Sequence, residues 1–185
     1  MPTPPKTSLP AIVSAGRRIL EAEGLEALTL QAVARAVGVR APSLYKRIDG
    51  RGDLVRRIST DAAAELGTAL AAAASAGDPA ADLRAMAQSA RGFARANPRA
   101  YALLFSPLPD AERADERLNM DLAGLIVRAA GDLAGPENAT EAARTVVAWV
   151  HGFVTMELAG AFRLGGDIDR AFDFGIDRIV RGLEA

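Results

Sequence analysis

The sequence contains no cysteine and a single histidine, His151, among 185 residues. A disulfide framework, a Cys-based zinc site and a Cys nucleophile are therefore excluded, and one imidazole leaves little for a metal or a charge-relay triad. No paired carboxylates and no nucleophile–histidine set stand out either, so an enzyme is not expected, nor a metal or any other cofactor. Aromatic residues make up only 5% while Ala is abundant, a composition that suits thin, closely packed helices. No alternating strand pattern and no repeat of fixed period is present. The most apolar stretch, Val146 to Phe162, is interrupted by His151, Thr155 and Glu157 and falls short of the ~20 apolar residues that a membrane span needs. The start, Met1-Pro2-Thr3-Pro4-Pro5-Lys6, is polar and Pro-rich, unlike the apolar core of a signal peptide, and a cytoplasmic protein is expected.

Hydrophobic residues at 50% and charged ones at 24% are ample for a folded core. The net charge of −1 hides an asymmetry: residues 1–60 carry +5 and the remainder −6. A basic first third is the electrostatic footprint of a nucleic-acid contact, and an acidic remainder confines that contact to one end.

The organising stretch runs from Leu28 to Leu54. Thr29 can cap a short helix whose apolar positions Leu30, Val33, Ala34 and Val37 recur at helical spacing, and Gly38 tolerates the positive φ that ends it. After Gly38-Val39-Arg40 the chain restarts with Pro42 in a first helical turn, where a missing amide hydrogen costs nothing. Two short helices joined by a Gly-containing turn form a helix-turn-helix, whose second helix enters a DNA major groove. That second helix carries Arg40, Ser43, Tyr45, Lys46 and Arg47 outward, with Leu44 and Ile48 anchoring it. Ser and Tyr hydroxyls and the cations bond phosphate oxygens; Arg40, Ala41 and Pro42 lie nearest the base edges, the last two offering only apolar contact to a thymine methyl.

This order of residues resembles the TetR family of one-component transcriptional regulators. The resemblance rests on Glu23-Gly24, Thr29, Val33-Ala34, Val37-Gly38-Val39, Ser43, Leu44-Tyr45 and Asp53-Leu54, and covers roughly Leu9 to Ile58. Ile48 stands where the family usually has Phe, and Arg51 where it usually has Lys; the first keeps the apolar anchor and the second keeps the charge. The DNA-binding set is then Thr29, Arg40, Ala41, Pro42, Ser43, Tyr45, Lys46 and Arg51.

Elsewhere a mobile arm is expected over Met1 to Ser8, then helices over about 9–23, from Asp53 as cap to about Ser75, and at 80–96, 98–105, 110–133, 139–164 and 168–183, with breaks at Gly77-Asp78-Pro79, Asn97-Pro98, Ser106-Pro107-Leu108-Pro109 and Gly135-Pro136. Small residues Ala148, Gly152, Thr155, Ala159 and Gly160 form a stripe that lets another helix approach closely, and the last helix has a strong apolar face. Two such helices suggest a four-helix interface between two copies, and family members usually dimerise through their last two helices. Trp149-Val150-His151-Gly152-Phe153 resembles the Trp-His-Gly signature of one class of the family's C-terminal domains.

His151 reads either as a core histidine or as one wall of an inducer pocket with Trp149, Phe153 and Met156; Phe93, Tyr101, Phe105 and Met120 are candidates for the same cavity or for the core. Glu157 reads most simply as a solvated position. The sequence thus implies an all-α chain with a DNA-binding domain over 1–52 and a ligand-binding and dimerisation domain over 53–185. Its expected role is a homodimeric repressor that leaves a pseudo-palindromic operator in double-stranded DNA when an unknown small-molecule effector binds, with no membrane partner. A DNA-binding dimer without small-molecule input is the alternative.

Overall fold

A computed structural model describes residues 8–74 and 77–184. The expected arm over Met1 to Ser8 and the helix end at Ser75 fall outside these residues, except that Ser8 is seen to cap the first helix by accepting the Ala11 amide at 3.3 Å. Eight α-helices follow: α1 (Leu9–Glu23), α2 (Leu30–Val37), α3 (Arg51–Ala73), α4 (Pro79–Ala96), α5 (Pro98–Phe105), α6 (Glu116–Ala134), α7 (Ala139–Leu158) and α8 (Ile168–Leu183). A 3-10 helix, Ala41–Lys46, stands between α2 and α3, and no strand occurs among the described residues. The all-α expectation holds.

Three elements differ from the expected ones. The long helix starts at Arg51, so Asp53 lies inside its first turn and reaches back to accept the Asp49 amide at 3.1 Å. The helix expected over 110–133 begins instead at Glu116, because Asp115 accepts the Arg117 and Leu118 amides and restarts the chain after a 3-10 turn at Asp110–Glu112. The helix expected to reach 164 ends at Leu158: Gly160 takes a φ of 62°, and the Gly160 and Ala161 amides return to the carbonyls of Glu157 and Met156.

The chain divides into two compact units, with the division points inside α3 and at 96/97 and 119/120. The first comprises the chain to Ala64 together with Asn97–Asn119. Its core is Ile12, Ile19, Leu20, Leu28, Val33, Leu44, Ile48, Leu54, Val55 and Ile58, all buried. Close approach of α1 and α3 requires Gly16, where a Cβ would stand 2.7 Å from the Ile58 side chain. Within this unit α1 and α5 cap each other: Glu21 accepts the Arg99 and Ala100 amides, and the Arg99 guanidinium donates to the carbonyls of Leu20 and Glu21.

The second unit, Glu65–Ala96 with the chain from Met120, packs α4, α7 and α8 together around Leu83, Met86, Val150, Val154, Phe172, Ile176 and Val180. A smaller alanine cluster, Ala130, Ala134, Ala142 and Ala143, joins α6 to α7. The boundary expected between residues 52 and 53 lies in the first turn of α3, whose later residues belong to both units.

Candidate nucleic-acid interface

The head is built from local signals that agree. Thr29 accepts the Ala32 amide at 3.1 Å and so caps α2, which leaves its own hydroxyl proton free to be offered outward. Gly38 adopts the left-handed conformation at φ 74°, with the Gly38 and Val39 amides returned to the carbonyls of Arg35 and Ala34. The second helix of the motif is a tight 3-10 helix rather than an α-helix; the Ser43 amide bonds the Arg40 carbonyl, and the Arg47 and Ile48 amides bond that of Leu44.

Leu44 and Ile48 are fully buried, as expected of anchors, so the opposite face is presented to solvent. On it Tyr45 is 61% exposed, Arg40, Pro42, Lys46 and Arg47 are exposed, and Ala41 and Ser43 are half-buried. Arg35, on the last turn of α2, adds a further exposed cation. Seven of the eight residues expected to meet DNA are therefore on the α2–turn–3-10 segment, and its outward surface carries the hydroxyl and cationic groups that phosphates take.

Arg51 is placed differently. Its Nε donates to the Leu28 carbonyl at 3.1 Å and a terminal nitrogen donates to the Leu25 carbonyl at 2.8 Å, with Glu112 3.8 Å away. The guanidinium therefore staples the Leu25–Leu28 turn to the start of α3, a fork that a lysine cannot make. Asp53 sits beside it. Burial acts to raise its carboxyl, but hydrogen bonds from Arg57, the Asp49 amide and Arg56 outweigh burial and hold it below the ordinary carboxylate value.

The residues expected to line a ligand cavity are distributed between the units. In the first, Tyr101 is buried, which pushes its hydroxyl up to about 12, and its ring lies 5.0 Å from that of Phe105. In the second, Phe93 is buried, and Trp149 and Phe153 pack at 5.3 Å with Phe172 against both. The indole of Trp149 also fills the space over Gly175, so this cluster occupies its volume with side chains. Burial lowers the half-buried His151 imidazole below its usual value, leaving it neutral near pH 7. Met120 and Met156 are exposed in the single chain, at 68% and 48%.

Glu157 is not solvated. It lies in a two-hydrogen-bond fork with Arg91 of α4, at 2.8 and 2.7 Å, where Arg91 is only 3% exposed. Arg91 also pairs with Asp169 at 2.8 Å and lies 4.7 Å from the Phe172 ring centre.

A Thr-capped helix, a Gly turn and a short outward-facing basic helix, carried on an all-helical chain, define a helix-turn-helix DNA-binding protein. Residues 12–58 match the family model described as bacterial regulatory proteins, tetR family, and residues 83–179 match the tetracyclin repressor-like C-terminal domain. The chain belongs to the TetR family of transcriptional regulators. The uncharacterized HTH-type transcriptional regulator Rv0681 of Mycobacterium tuberculosis is 30% identical, the match covering 98% of this chain and 84% of that protein. Among solved structures, a protein of unknown function from Rhodococcus sp. RHA1 superposes with a TM-score of 0.80 at 26% identity over 94% of each chain. TetR from Acinetobacter baumannii AYE, crystallised as a variant in complex with minocycline, shares the fold with a TM-score of 0.71 at 23% identity over 95% of each chain.

Proposed function

We propose that this regulator is a cytoplasmic homodimer that represses transcription by occupying a pseudo-palindromic operator and leaves it when a small molecule binds. The observation that carries the DNA-binding part is the polarity of the 3-10 helix, with Leu44 and Ile48 buried under it and Tyr45, Lys46 and Arg40 exposed over it. Tyr45, Lys46 and the Thr29 hydroxyl hold phosphates, and Arg40, Ala41, Pro42 and Ser43 approach base edges. Arg51 acts through the turn it staples rather than by touching DNA.

Two copies meet through α7 and α8, whose residues Ala148, Gly152, Thr155, Ala171 and Phe174 are exposed in the single chain, as is Ala159 just past the end of α7. Half-site centres then lie about 34 Å, or a multiple of it, apart. The effector prefers the state in which the two heads are wrongly spaced; equal affinity for both states would shift nothing. The continuous helix α3 transmits the change. No helix among the described residues is long and apolar enough to cross a membrane.

Fluorescence anisotropy with DNA flanking the coding gene, against a scrambled duplex of equal length at physiological salt, tests the reading. Preference of about a thousandfold or more is expected of specific recognition. Equal, weak and salt-sensitive binding to duplexes recovered by unbiased site selection would overturn it.

A further inference from the structure

The first unit contains a cleft of about 230 Å³ beneath the Ser106–Asp115 segment, between it, α3 and α5. Leu103, Leu104, Leu108 and Phe105 give it apolar walls. Ser59 of α3 lines it as well; this residue is 1% exposed, and its hydroxyl has no hydrogen-bond partner among the described residues. A buried hydroxyl without a partner costs free energy, and native proteins seldom retain one without use.

Resting on the ligand-responsive reading, we propose that this cleft binds a compact neutral molecule of about one ring that bears a hydroxyl group, with Ser59 as its hydrogen-bond partner. The size follows from volume: an apolar cavity of about 150 Å³ already accommodates benzene. Neutrality follows from the cations. Arg113, the only one lining the cleft among the described residues, has its Nε on the Leu108 carbonyl at 3.1 Å and another nitrogen 3.2 Å from Asp110, so a carboxylate guest would have to compete with Asp110 for it, whereas a neutral guest need not. A hydroxyl follows from the acceptors. The Ser106 hydroxyl donates to the Ala102 carbonyl and offers only lone pairs to a guest, while Ser59 can both donate and accept.

The segment over the cleft is joined to the head. The Asp115 amide donates to the Thr60 hydroxyl at 3.1 Å, and Glu112 lies 3.8 Å from Arg51, which holds the Leu25 and Leu28 carbonyls just ahead of the Thr29 cap. A guest that lifts this segment draws on the staple that sets the helix-turn-helix in place.

The probes are p-cresol, toluene and 4-methylbenzoate, titrated into the full chain and followed by saturation-transfer NMR. Two variants accompany it: Ser59→Ala, which removes a hydroxyl with no partner, and Ala114→Phe, which fills the cleft from its half-buried rim. We expect saturable binding of p-cresol near ~1 mM, within reach of a fragment this small. Toluene should bind more weakly and 4-methylbenzoate should not compete. Ser59→Ala should weaken p-cresol about tenfold and leave toluene and duplex binding unchanged; Ala114→Phe should abolish binding of both probes while cooperative thermal melting persists. Absence of saturable p-cresol binding, or binding equal in wild type and both variants, overturns the site. Because duplex binding is measured separately, a failed cleft with intact operator preference refutes this site alone, whereas loss of that preference in the wild type refutes the regulator reading itself.

Discussion

Arg91 and Glu157 show what a single buried charge pair demands. Arg91 lies among Phe153 and Phe172 and is 3% exposed, so deleting its main partner leaves a cation in a low-dielectric site. Glu157→Ala should destabilise the chain by about 3 kcal/mol in urea unfolding, softened by the remaining pairing with Asp169. Replacing both members, Arg91→Met with Glu157→Met, should recover most of that loss, because neither charge is then buried. A double variant no better than the single one would refute the account. The pair was illegible in the sequence for a plain reason: its members are 66 residues apart, and helical spacing offers Glu157 only neighbours on its own helix.

Asp53 gives a residue-level prediction in pH. Its carboxyl is held below the usual value near 4, so the folded state favours its charged form. A depressed carboxylate contributes stability that is present above its unfolded pKa and lost as pH falls through the folded one. Below about pH 4, therefore, Asp53→Asn should flatten part of the acid limb of the stability curve, measured by urea midpoints, and should leave the slope between pH 6 and 8 unchanged. An unaltered acid limb would mean that the pairing with Arg56 and Arg57 contributes nothing. Arg stands three and four residues after Asp53 in the sequence, yet Asp53 reads there simply as a helix cap. The reach back to the Asp49 amide depends on where the helix starts, and helix starts are poorly specified by residue type alone.

Elements were legible where a stop signal and a period coincide. The caps at Ser8 and Asp167 emerge only in the structure, but the bounds of α1, α2, α5 and α8 agree with the expected ones, with Thr29, Gly38 and Pro98 as start and stop signals beside helical apolar spacing. They were illegible where a run of good helix formers conceals a restart, as at Asp115, or a glycine acts as a stop among other small residues, as at Gly160. The packing of α7 on α8 was half legible: both apolar faces could be read, but not that Trp149 lies over Gly175. A Cβ at Gly175 would stand 2.1 Å from the indole, so Gly175→Ala should cost about 1–3 kcal/mol despite its better helix propensity. Combining it with Trp149→Leu should restore part of the loss. Additive losses in the double variant, read from thermal and urea unfolding, would argue that the two residues do not share this space.

At the scale of the molecule, the proposed DNA-binding activity depends on two heads acting together, an arrangement already suggested by the small-residue stripe in the sequence. The structure leaves Ala148, Gly152 and Thr155 exposed along α7 and Ala159 exposed just past its end, together with Phe174 of α8, which is 65% exposed. Gly152→Arg places a charge in the middle of that stripe, where a Cβ meets nothing within 4 Å in the single chain. Since glycine is a poor helix former, the substitution should raise or maintain the thermal stability of the isolated chain while splitting the dimer in sedimentation velocity. With one head instead of two, binding is no longer bivalent, so operator affinity should fall by about a hundredfold or more, and the slope of log K against log salt should roughly halve. Lys46→Ala acts on the other term. It should retain the dimer and lower the salt slope by about one for each phosphate that is no longer neutralised, with nearly equal effect on operator and scrambled DNA. A Gly152→Arg chain that stays dimeric, with operator affinity intact, would place the interface on another face and require the half-site spacing to be derived afresh.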